Sequence, residues 1–564
     1  MKRDDFTLGL DLGHELIIDN FAGGGGTSTG LERAFGRPVD IAINHDPEAL
    51  AMHAINHPLT RHLCESVWDV DPIAVTGNQP VALVWLSPDC KHFSKAKGGT
   101  PVAKHIRGLA WVGMRWAALT KPRVIMLENV EEFTTWGPLL VGADGMARPD
   151  PARRGRTFES FVRQLRTHGY DVEWRERRAC DDGAPTIRKR LFLIARRDGL
   201  PIVWPSATHG NPASIAVMSG KLLPWRSAAE CIDFSLPSQS IFGRKKALAD
   251  NTLRRVVKGL WRHVLTSPKP FIVGMGDDLS AIAPTLQPLR GTSESHLQGD
   301  DVAAPLSTIS AGGTHHALAA AALVPVAHGE RRPGETRTAD LNEPIGTVHA
   351  GGGSFALAAV CLEQANGGFY EGDGRPADAP MSTITSAGSN QRLITAYCVK
   401  YYSNGGQWQG LAEPMHTLPT KGRMGLVQCV KVAADCPAPE LRERARQCAA
   451  LLHQYLPEHF PEPADLILVG DWMLVDIMLR MLKAPELFLA QSFPPSYVIH
   501  EIPNPALLFK GGVQAADPLS VPRIPLSATA QVRMCGNSVA PIQAEALARA
   551  NFSHEHLIYG RAAA

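Results

Sequence analysis

The first 200 residues predict an α/β fold with a doubly wound, largely parallel sheet. Apolar runs of strand length recur at residues 14–19, 39–44, 80–86, 122–128 and 190–197. Stretches with helical spacing, among them 49–56 and 104–119, separate these runs. Strands that alternate with helices indicate parallel pairing, and ligands of such sheets bind at the carboxyl ends of the strands. We therefore expect the chemistry of this protein at those ends.

Composition narrows the class of protein without identifying it. The chain has 564 residues, of which 44% are hydrophobic and 20% charged, as expected for a globular protein of more than one domain. Its 57 basic and 55 acidic residues leave a net charge of +2, so a surface for nucleic acid would have to be local. The ten cysteines show no zinc-like spacing, which favours reduced thiols and no metal site.

The chain offers no membrane segment. Its longest apolar run, Ala317 to Val324, ends at a proline and is far shorter than a membrane span. The acidic start, MKRDDFTLGLDLGHE, is unlike a signal peptide. We expect a cytoplasmic protein without membrane association.

Beyond residue 200 a Pro-x-x-Thr pattern repeats. Copies begin at Ala304, Glu343, Ala379 and Glu413, with a weaker relative at Ala283, and successive prolines are 39, 36 and 34 residues apart. A period of this size indicates stacked units, and the proline-led strand with a glycine turn favours hairpins. Helices are expected afterwards at 440–456 and 542–551.

Three features at predicted strand ends carry chemistry. The glycine-rich turn at 19–26 lies between a strand and a helix, which suits a nucleotide-like ligand, although an oxidoreductase, a methyltransferase and a plain tight turn all fit it. Cys90 lies in a loop after a strand, where a thiol is either a reactive nucleophile or a small buried side chain. Glu128 ends another strand. Together they supply a pocket, a nucleophile and an acid.

The motifs and their order resemble the DNA cytosine-5 methyltransferase family of bacterial or phage type. They are Asp-x-Phe-Ala-Gly-x-Gly-Gly at 19–26, Pro-x-Cys-x-x-Phe-Ser at 88–94, Glu-Asn-Val at 128–130, Arg-x-Arg at 188–190, Arg-x-Leu-x-x-x-Glu-x-x-x-x-Gln-x-Phe-Pro at 480–494 and Gly-Asn-Ser-Val at 536–539. The resemblance covers roughly residues 15–200 and 470–552. It implies methyl transfer from S-adenosylmethionine to cytosine C5 in double-stranded DNA.

The resemblance also implies roles for individual residues. The Cys90 thiolate would add to C6 of a flipped cytosine, and Glu128 would hold or deliver a proton at N3. Arg188 and Arg190, on alternate positions of one strand, would stabilise the developing charge. The residues expected to bind the cofactor are Phe21, Gly23, Gly25, Asp46, Asp69, Pro88, Asn537 and Ser538.

Several positions depart from the family pattern. Asp89 replaces the second proline before the cysteine, Lys91 replaces the glutamine after it, and Thr186 replaces a glutamine before the Arg-x-Arg pair. For the ribose-binding acid the matching position is His45, whereas Asp46 has the better chemistry.

The implied organisation has three segments. Residues 1–200 would form the catalytic and cofactor-binding domain, residues 201–470 a mostly β or irregular target-recognition region, and residues 471–564 would complete the first domain. Candidate DNA contacts within the repeats are Arg290, His315, His316, Arg392, Lys421 and Arg423.

Partners and rival functions follow from the same pattern. We expect a monomer of bacterial, phage or mobile-element origin, with a cognate restriction endonuclease as a partner left open. The same chemistry on RNA, and a catalytically inactive DNA-binding relative, stay open as alternatives. A nicotinamide-dependent oxidoreductase is disfavoured because Gly-x-Gly-x-x-Gly spacing with an acid after the second strand is missing.

Overall fold

The computed structural model describes most of the α/β part of the chain and selected strands of the intervening region. The described residues are 15–88, 109–141, 147–234, 236, 238–266, 273–274, 281–288, 307–309, 316–323, 361–362, 375–376, 397–400, 408–410, 416–417, 424–432, 439–469 and 472–559.

The described elements up to residue 200 are nine strands and five helices. The strands are β1 (Leu16–Asn20), β2 (Ile41–Ile43), β3 (Arg61–Leu63), β4 (Val81–Leu86), β5 (Val124–Asn129), β6 (Leu139–Val141), β7 (Ala147–Pro149), β8 (Asp171–Arg178) and β9 (Lys189–Arg196). The helices are α1 (Gly26–Phe35), α2 (Pro47–Asn56), α3 (Pro72–Thr76), α4 (Val112–Leu119) and α5 (Arg156–Thr167).

The described strands after residue 200 are β10 (His209–Gly210), β11 (Leu223–Pro224), β12 (Gln239–Ser240), β13 (Val273–Gly274), β14 (Ala281–Pro288), β15 (Ser307–Ile309), β16 (His316–Leu323), β17 (Cys361–Leu362), β18 (Arg375–Pro376), β19 (Tyr397–Lys400), β20 (Trp408–Gly410), β21 (His416–Thr417), β22 (Met424–Val432), β23 (Leu468–Val469), β24 (Trp472–Met481), β25 (Glu501–Pro503), β26 (Phe509–Lys510), β27 (Val513–Gln514) and β28 (Arg523–Pro525). The helices are α6 (Ile215–Met218), α7 (Asp250–Leu260), α8 (Pro439–Tyr455), α9 (Ala484–Ala490), α10 (Pro505–Leu508), α11 (Ala528–Asn537) and α12 (Pro541–Tyr559).

The first sheet has the strand order β26-β27-β3-β2-β1-β4-β5-β9-β8. Strands β3, β2, β1, β4 and β5 run parallel. The strands β9 and β8 add to one edge in antiparallel fashion, and the β26–β27 hairpin adds to the other. The carboxyl ends of the parallel strands therefore meet along one edge, and the predicted α/β fold with a largely parallel sheet is confirmed.

Both faces of this sheet are buried, which explains the continuous apolar runs. Ile17 and Trp85 pack in one core with the buried side chains of α1 and α12. Their neighbours Ile18 and Val84 point to the opposite face and pack in another core with those of α4 and α5. Each parallel strand thus contributes side chains to two cores, as a doubly wound sheet requires.

A second sheet of nine strands lies in the intervening part of the chain. Its long strand β24 pairs with β12, β16, β22 and β23. Two of the Pro-x-x-Thr repeats lie side by side, since Ser307 of β15 is the register partner of His416 of β21. The copies that begin at Glu343 and Ala379, and the candidate DNA contacts Arg290, His315, Arg392, Lys421 and Arg423, lie outside the described residues.

The last helices return to the first sheet. Helix α12 packs along α1, and α11 packs on α9. In the described part of the chain no helix combines the length and apolar character needed to cross a membrane.

Candidate functional site

The glycine-rich turn leaves β1 with unusual backbone angles. Phe21, Gly23 and Gly25 have φ values of 63°, 53° and 95°, in the left-handed region that favours glycine. Among the described residues, a Cβ placed on Gly23 would meet only the Phe21 carbonyl oxygen, at 3.8 Å, so the described structure leaves the space beside Gly23 open. A Cβ on Gly25 would overlap the Tyr497 hydroxyl and lie 2.8 Å from His57 Nε2. Gly23 therefore leaves room for a ligand, whereas Gly25 is required by packing.

Asn20, the last residue of β1, has a polar side chain without a visible partner. It is 1% exposed, and neither its Oδ1 nor its Nδ2 makes a hydrogen bond within the described structure. Buried polar atoms are nearly always paired in folded proteins. A polar ligand bound at the turn would resolve this, so Asn20 joins Gly23 as a candidate binding residue that the sequence did not single out.

Glu128 lies near the end of β5, close to two arginines at the start of the neighbouring strand β9: Arg190 in the strand and Arg188 directly before it. Its Oε1 lies 3.1 Å from Arg190 Nε and 3.8 Å from Arg188 Nη2. Glu128, Arg190 and Arg188 are 6%, 8% and 2% exposed, respectively. Arg188 Nη1 also donates to the Gly536 carbonyl at 3.0 Å, and Arg190 Nη1 to the Lys189 carbonyl at 2.8 Å. The structure thus brings three of the four predicted catalytic residues together.

The loop that carries the predicted nucleophile begins beside this cluster. Pro88 is buried, and its carbonyl accepts a hydrogen bond from Asn129 Nδ2 at 3.3 Å. Because Asn129 follows Glu128 directly, this bond ties the start of the loop to the end of β5. Cys90 itself lies outside the described residues.

The late motif at 536–539 lies between the arginines and the glycine-rich turn. Ser538 is buried, and its Oγ donates to the Val539 carbonyl at 3.0 Å. A Cβ on Gly26, the first residue of α1, would overlap both of those oxygen atoms. Asn537 is exposed at the end of α11. The motif is therefore held against α1, as the resemblance implied for a shared pocket.

Two predicted cofactor residues have other surroundings. Asp46 caps α2 by accepting from the backbone N–H groups of Glu48 and Ala49, and it forms an ion pair with Arg533 of α11. Asp69 is exposed and follows a turn beyond the end of β3. Ser66 is closer than Asp69 in sequence to the carboxyl end of β3. Asp46 and Asp69 both stay predictions, and the Asp46 carboxylate is engaged with protein groups.

Thr186, a departure from the family pattern, supports the arginines. It is fully buried, and its Oγ1 accepts from the Arg188 backbone N–H at 3.3 Å. On the adjacent strand Arg177 is the register partner of Arg190 and forms an ion pair with Asp182. Burial raises the pKa of Asp182, and the Arg177 charge opposes that shift. The start of β9 is thus held by a buried polar framework.

Sequence reasoning missed the polar residues packed beneath the glycine-rich turn. The Tyr497 hydroxyl donates to the Gly24 carbonyl at 2.6 Å and lies 3.2 Å from His57 Nε2. His57 Nδ1 lies 2.9 Å from Glu32 Oε2. The only available signal was the three histidines at 53, 57 and 62. Nothing in the spacing of His57 predicts a contact with Tyr497, which is 440 residues away.

Part of the chain is similar to known proteins. Residues 16–218 match the model of the C-5 cytosine-specific DNA methylase family. Type II methyltransferase M.XorII of Xanthomonas oryzae pv. oryzae is 30% identical over 208 residues, which cover 36% of this chain and 45% of that protein. Type II methyltransferase M.SacI of Streptomyces achromogenes is 26% identical, with 39% of this chain and 58% of the relative covered. The chain thus spans about half the length of these curated relatives.

Solved structures give a weaker likeness. The Entamoeba histolytica methyltransferase EhMeth is 12% identical, with 96% of this chain and 98% of that chain covered and a TM-score of 0.38. A likeness at this level carries no inference about the site.

Proposed function

We propose that the protein methylates C5 of cytosine in double-stranded DNA, with S-adenosylmethionine as the methyl donor, on the premise that residues 16–218 match the C-5 cytosine-specific DNA methylase family. The observation that carries the proposal is the placement of Glu128 against Arg190 and Arg188 at the carboxyl edge of the sheet. A carboxylate and two fixed guanidinium groups at one strand end suit a base that gains negative charge during reaction.

The residues at the turn suit the proposed cofactor. In the part of the chain that the structure describes, the space beside Gly23 is open and the Asn20 amide has no hydrogen bond, so both offer room and hydrogen bonds to a polar ligand. The half-buried ring of Phe21 would flank the ligand, with Pro88 as a wall of the pocket. When bound, S-adenosylmethionine would supply an electrophilic methyl group. Gly25 and Ser538 would support the turn from behind, and Asp46, Asp69 and Asn537 stay candidate contacts.

The proposed catalytic sequence uses the base and four side chains. The Cys90 thiolate would add to C6 of a flipped cytosine, and Glu128 would protonate or hold N3 as charge builds on the ring. Arg188 and Arg190 would stabilise that charge. C5, now nucleophilic, would take the methyl group. Loss of the C5 proton and elimination of the thiolate would then regenerate Cys90.

Bisulfite sequencing tests the proposal most directly. DNA from a host that expresses the wild-type chain should show new protected cytosines in one sequence context. The Cys90→Ala variant should show none, whereas Cys64→Ala, which removes a half-buried free thiol, should keep the wild-type pattern. A wild-type host without new protected cytosines would overturn the proposal.

A second assay separates the substrates. Purified protein with labelled S-adenosylmethionine should transfer label to double-stranded DNA and leave a transfer RNA pool unlabelled. Label on the RNA alone would favour the RNA enzyme. Specific DNA binding without transfer would favour an inactive relative.

A further inference from the structure

A line of buried polar side chains runs beneath the glycine-rich turn. Asp19, Ser28, His53 and His62 are each fully buried, and they lead to Gln514 on the edge hairpin. The contacts are Asp19 Oδ2 to Ser28 Oγ at 2.8 Å, Ser28 Oγ to His53 Nε2 at 2.9 Å, His53 Nδ1 to His62 Nε2 at 2.9 Å and His62 Nδ1 to Gln514 Oε1 at 2.6 Å. We call these five residues the relay.

When Asp19 is ionised and both histidines are neutral, the relay has one proton too few for its four hydrogen bonds. At one end Gln514 presents its carbonyl oxygen, because its amide nitrogen donates to the Ala516 carbonyl at 3.1 Å. At the other end an ionised Asp19 would only accept. Four contacts between these ends require four protons, whereas Ser28 and two neutral histidines provide three. The fourth proton therefore resides on Asp19 or on a histidine.

The surroundings place the fourth proton on Asp19. Burial raises the pKa of Asp19 to about 7, although its hydrogen bonds from Ser28 oppose the shift. Burial lowers the pKa of His62 to about 4, and it lowers the pKa of His53 well below the usual value, with repulsion from His57 and His62 as further causes. With Asp19 neutral, each member donates to the next, from the carboxyl to Gln514. A neutral carboxyl also suits Asp19 Oδ1, which is buried without a hydrogen bond in the described structure.

Other titratable groups face the relay from neighbouring elements. The His57 ring lies 4.5 Å from that of His53, and its Nδ1 lies 2.9 Å from Glu32 of α1. Tyr497 approaches from the late segment, and burial raises the pKa of its hydroxyl, with Glu32 and Asp19 among the further causes.

We propose that His53 and His62 keep Asp19 protonated beneath the glycine-rich turn, and that loss of this proton weakens cofactor binding at the turn. The binding part rests on the proposed function; the protonation part does not. When the proton leaves to solvent, Ser28 donates to the carboxylate, and each histidine donates in the reverse direction. Two acceptors, His62 Nδ1 and Gln514 Oε1, then face each other. Asp19 and the histidines thus act as positioning residues for the turn.

The binding test compares the full chain with the Asp19→Asn variant. Calorimetric titration with S-adenosylhomocysteine from about pH 6 to about pH 8.5 should show the wild-type affinity falling at least roughly threefold as Asp19 loses its proton. Asparagine mimics the neutral carboxyl, so the variant should show no such fall beyond that due to the ligand itself. Tyr497→Phe is the matched control, because it loses the bond to Gly24 and leaves the relay intact. It should bind more weakly but keep the wild-type pH profile.

A second measurement needs no ligand. Asp19 has a pKa of about 7 in the native state, whereas an aspartate in the unfolded chain titrates near 3.8. The bound proton therefore stabilises the native state at low pH, and this stabilisation is lost as pH rises to about 7. The unfolding free energy of the wild type relative to Asp19→Asn should therefore fall between about pH 4 and about pH 7. A difference independent of pH would overturn the relay. If that fall occurs but the wild type binds no S-adenosylhomocysteine at any pH, the relay stands and the proposed function fails.

If the stability difference falls while binding is equally pH-dependent in both proteins, Asp19 holds the proton but does not control the turn. That result would overturn the proposed link to cofactor binding. The circular dichroism spectrum of Asp19→Asn shows whether the variant folds like the wild type. If it does not, the chemical shift of the Asp19 carboxyl carbon is followed by NMR in the wild-type chain instead. That shift should titrate near pH 7, and titration near the ordinary value would overturn the proposal.

Discussion

Gly26→Ala should separate the glycine-rich turn from the late motif. Gly26 begins α1, and a Cβ there would overlap Ser538 Oγ and the Val539 carbonyl oxygen and lie 3.1 Å from Phe493 Cζ. Ser538 Oγ can rotate away, but the carbonyl belongs to the backbone. Relief therefore requires α1 or the late motif to shift.

The expected magnitude follows from two opposing effects. Overpacking a buried contact costs about 1–3 kcal/mol. Alanine is a better helix former than glycine by at most about 1 kcal/mol in a helix interior, and Gly26 lies at the first position of α1. We therefore expect a net loss of about 1–3 kcal/mol in unfolding free energy, together with weaker binding of S-adenosylhomocysteine.

Urea unfolding measures the first effect and calorimetric titration the second. Gly36→Ala is the matched control, since nothing lies within 4 Å of its added Cβ but its φ is +68°. It should cost about 1 kcal/mol through backbone strain and leave binding unchanged. If Gly26→Ala were as stable as wild type and bound the ligand equally well, the close approach of α1 to the late motif would be refuted.

Three further predictions concern ionisable side chains. Glu486→Gln should cost about 3–5 kcal/mol in urea unfolding, because it disrupts a buried pair with Arg480 held at 2.7 and 2.9 Å; a loss below about 1 kcal/mol would contradict this. Arg533→Ala should lower stability by less than about 1 kcal/mol, since its side chain is 38% exposed beside Asp46, and a larger loss in thermal melts would point to a buried role. Burial lowers the pKa of His62 to about 4, so its contribution to the unfolding free energy is present above pH 6.5 and is lost as pH falls toward 4. In His62→Gln the unfolding free energy should therefore fall less steeply over this pH range, and an unchanged slope would contradict the prediction.

The central strands could be predicted because they are buried on both faces. Residues 81–86 and 124–127 are buried apolar runs, which the sequence displays directly. Strand β8 was missed, since its edge position leaves charged side chains such as Glu173 and Arg175 exposed and no apolar run remains. Strand β3 has only three residues, one of them His62. The apolar run of β24 fits a strand and a buried helix equally well, so its pattern alone gave no assignment.

The site was predictable where motif residues lie at the ends of strands that are neighbours in the sheet. Glu128 and the arginines meet because β5 and β9 are neighbours, and both arginines, at the start of β9 and two positions apart, approach the same carboxylate. The relay was not predictable, because His62 and Gln514 are 452 residues apart and a single histidine has no distinctive pattern. Asp46 shows a different limit of sequence reasoning, and its role as a ribose contact stays a prediction. Its chemistry suited a ribose contact, but the same carboxylate also suits an N-cap and a salt bridge.

The late segment contacts both the arginines and the glycine-rich turn of the candidate site across a large separation in sequence. The Gly536 carbonyl holds Arg188 across 348 residues, and the Tyr497 hydroxyl holds the Gly24 carbonyl across 473. The entropy cost of closing such loops grows only with the logarithm of their length. A long region between residues 200 and 470 therefore adds little to the cost of assembling the pocket. Its length and sequence can vary while the catalytic geometry stays fixed, which is the arrangement expected if that region reads the DNA and the sheet performs the chemistry.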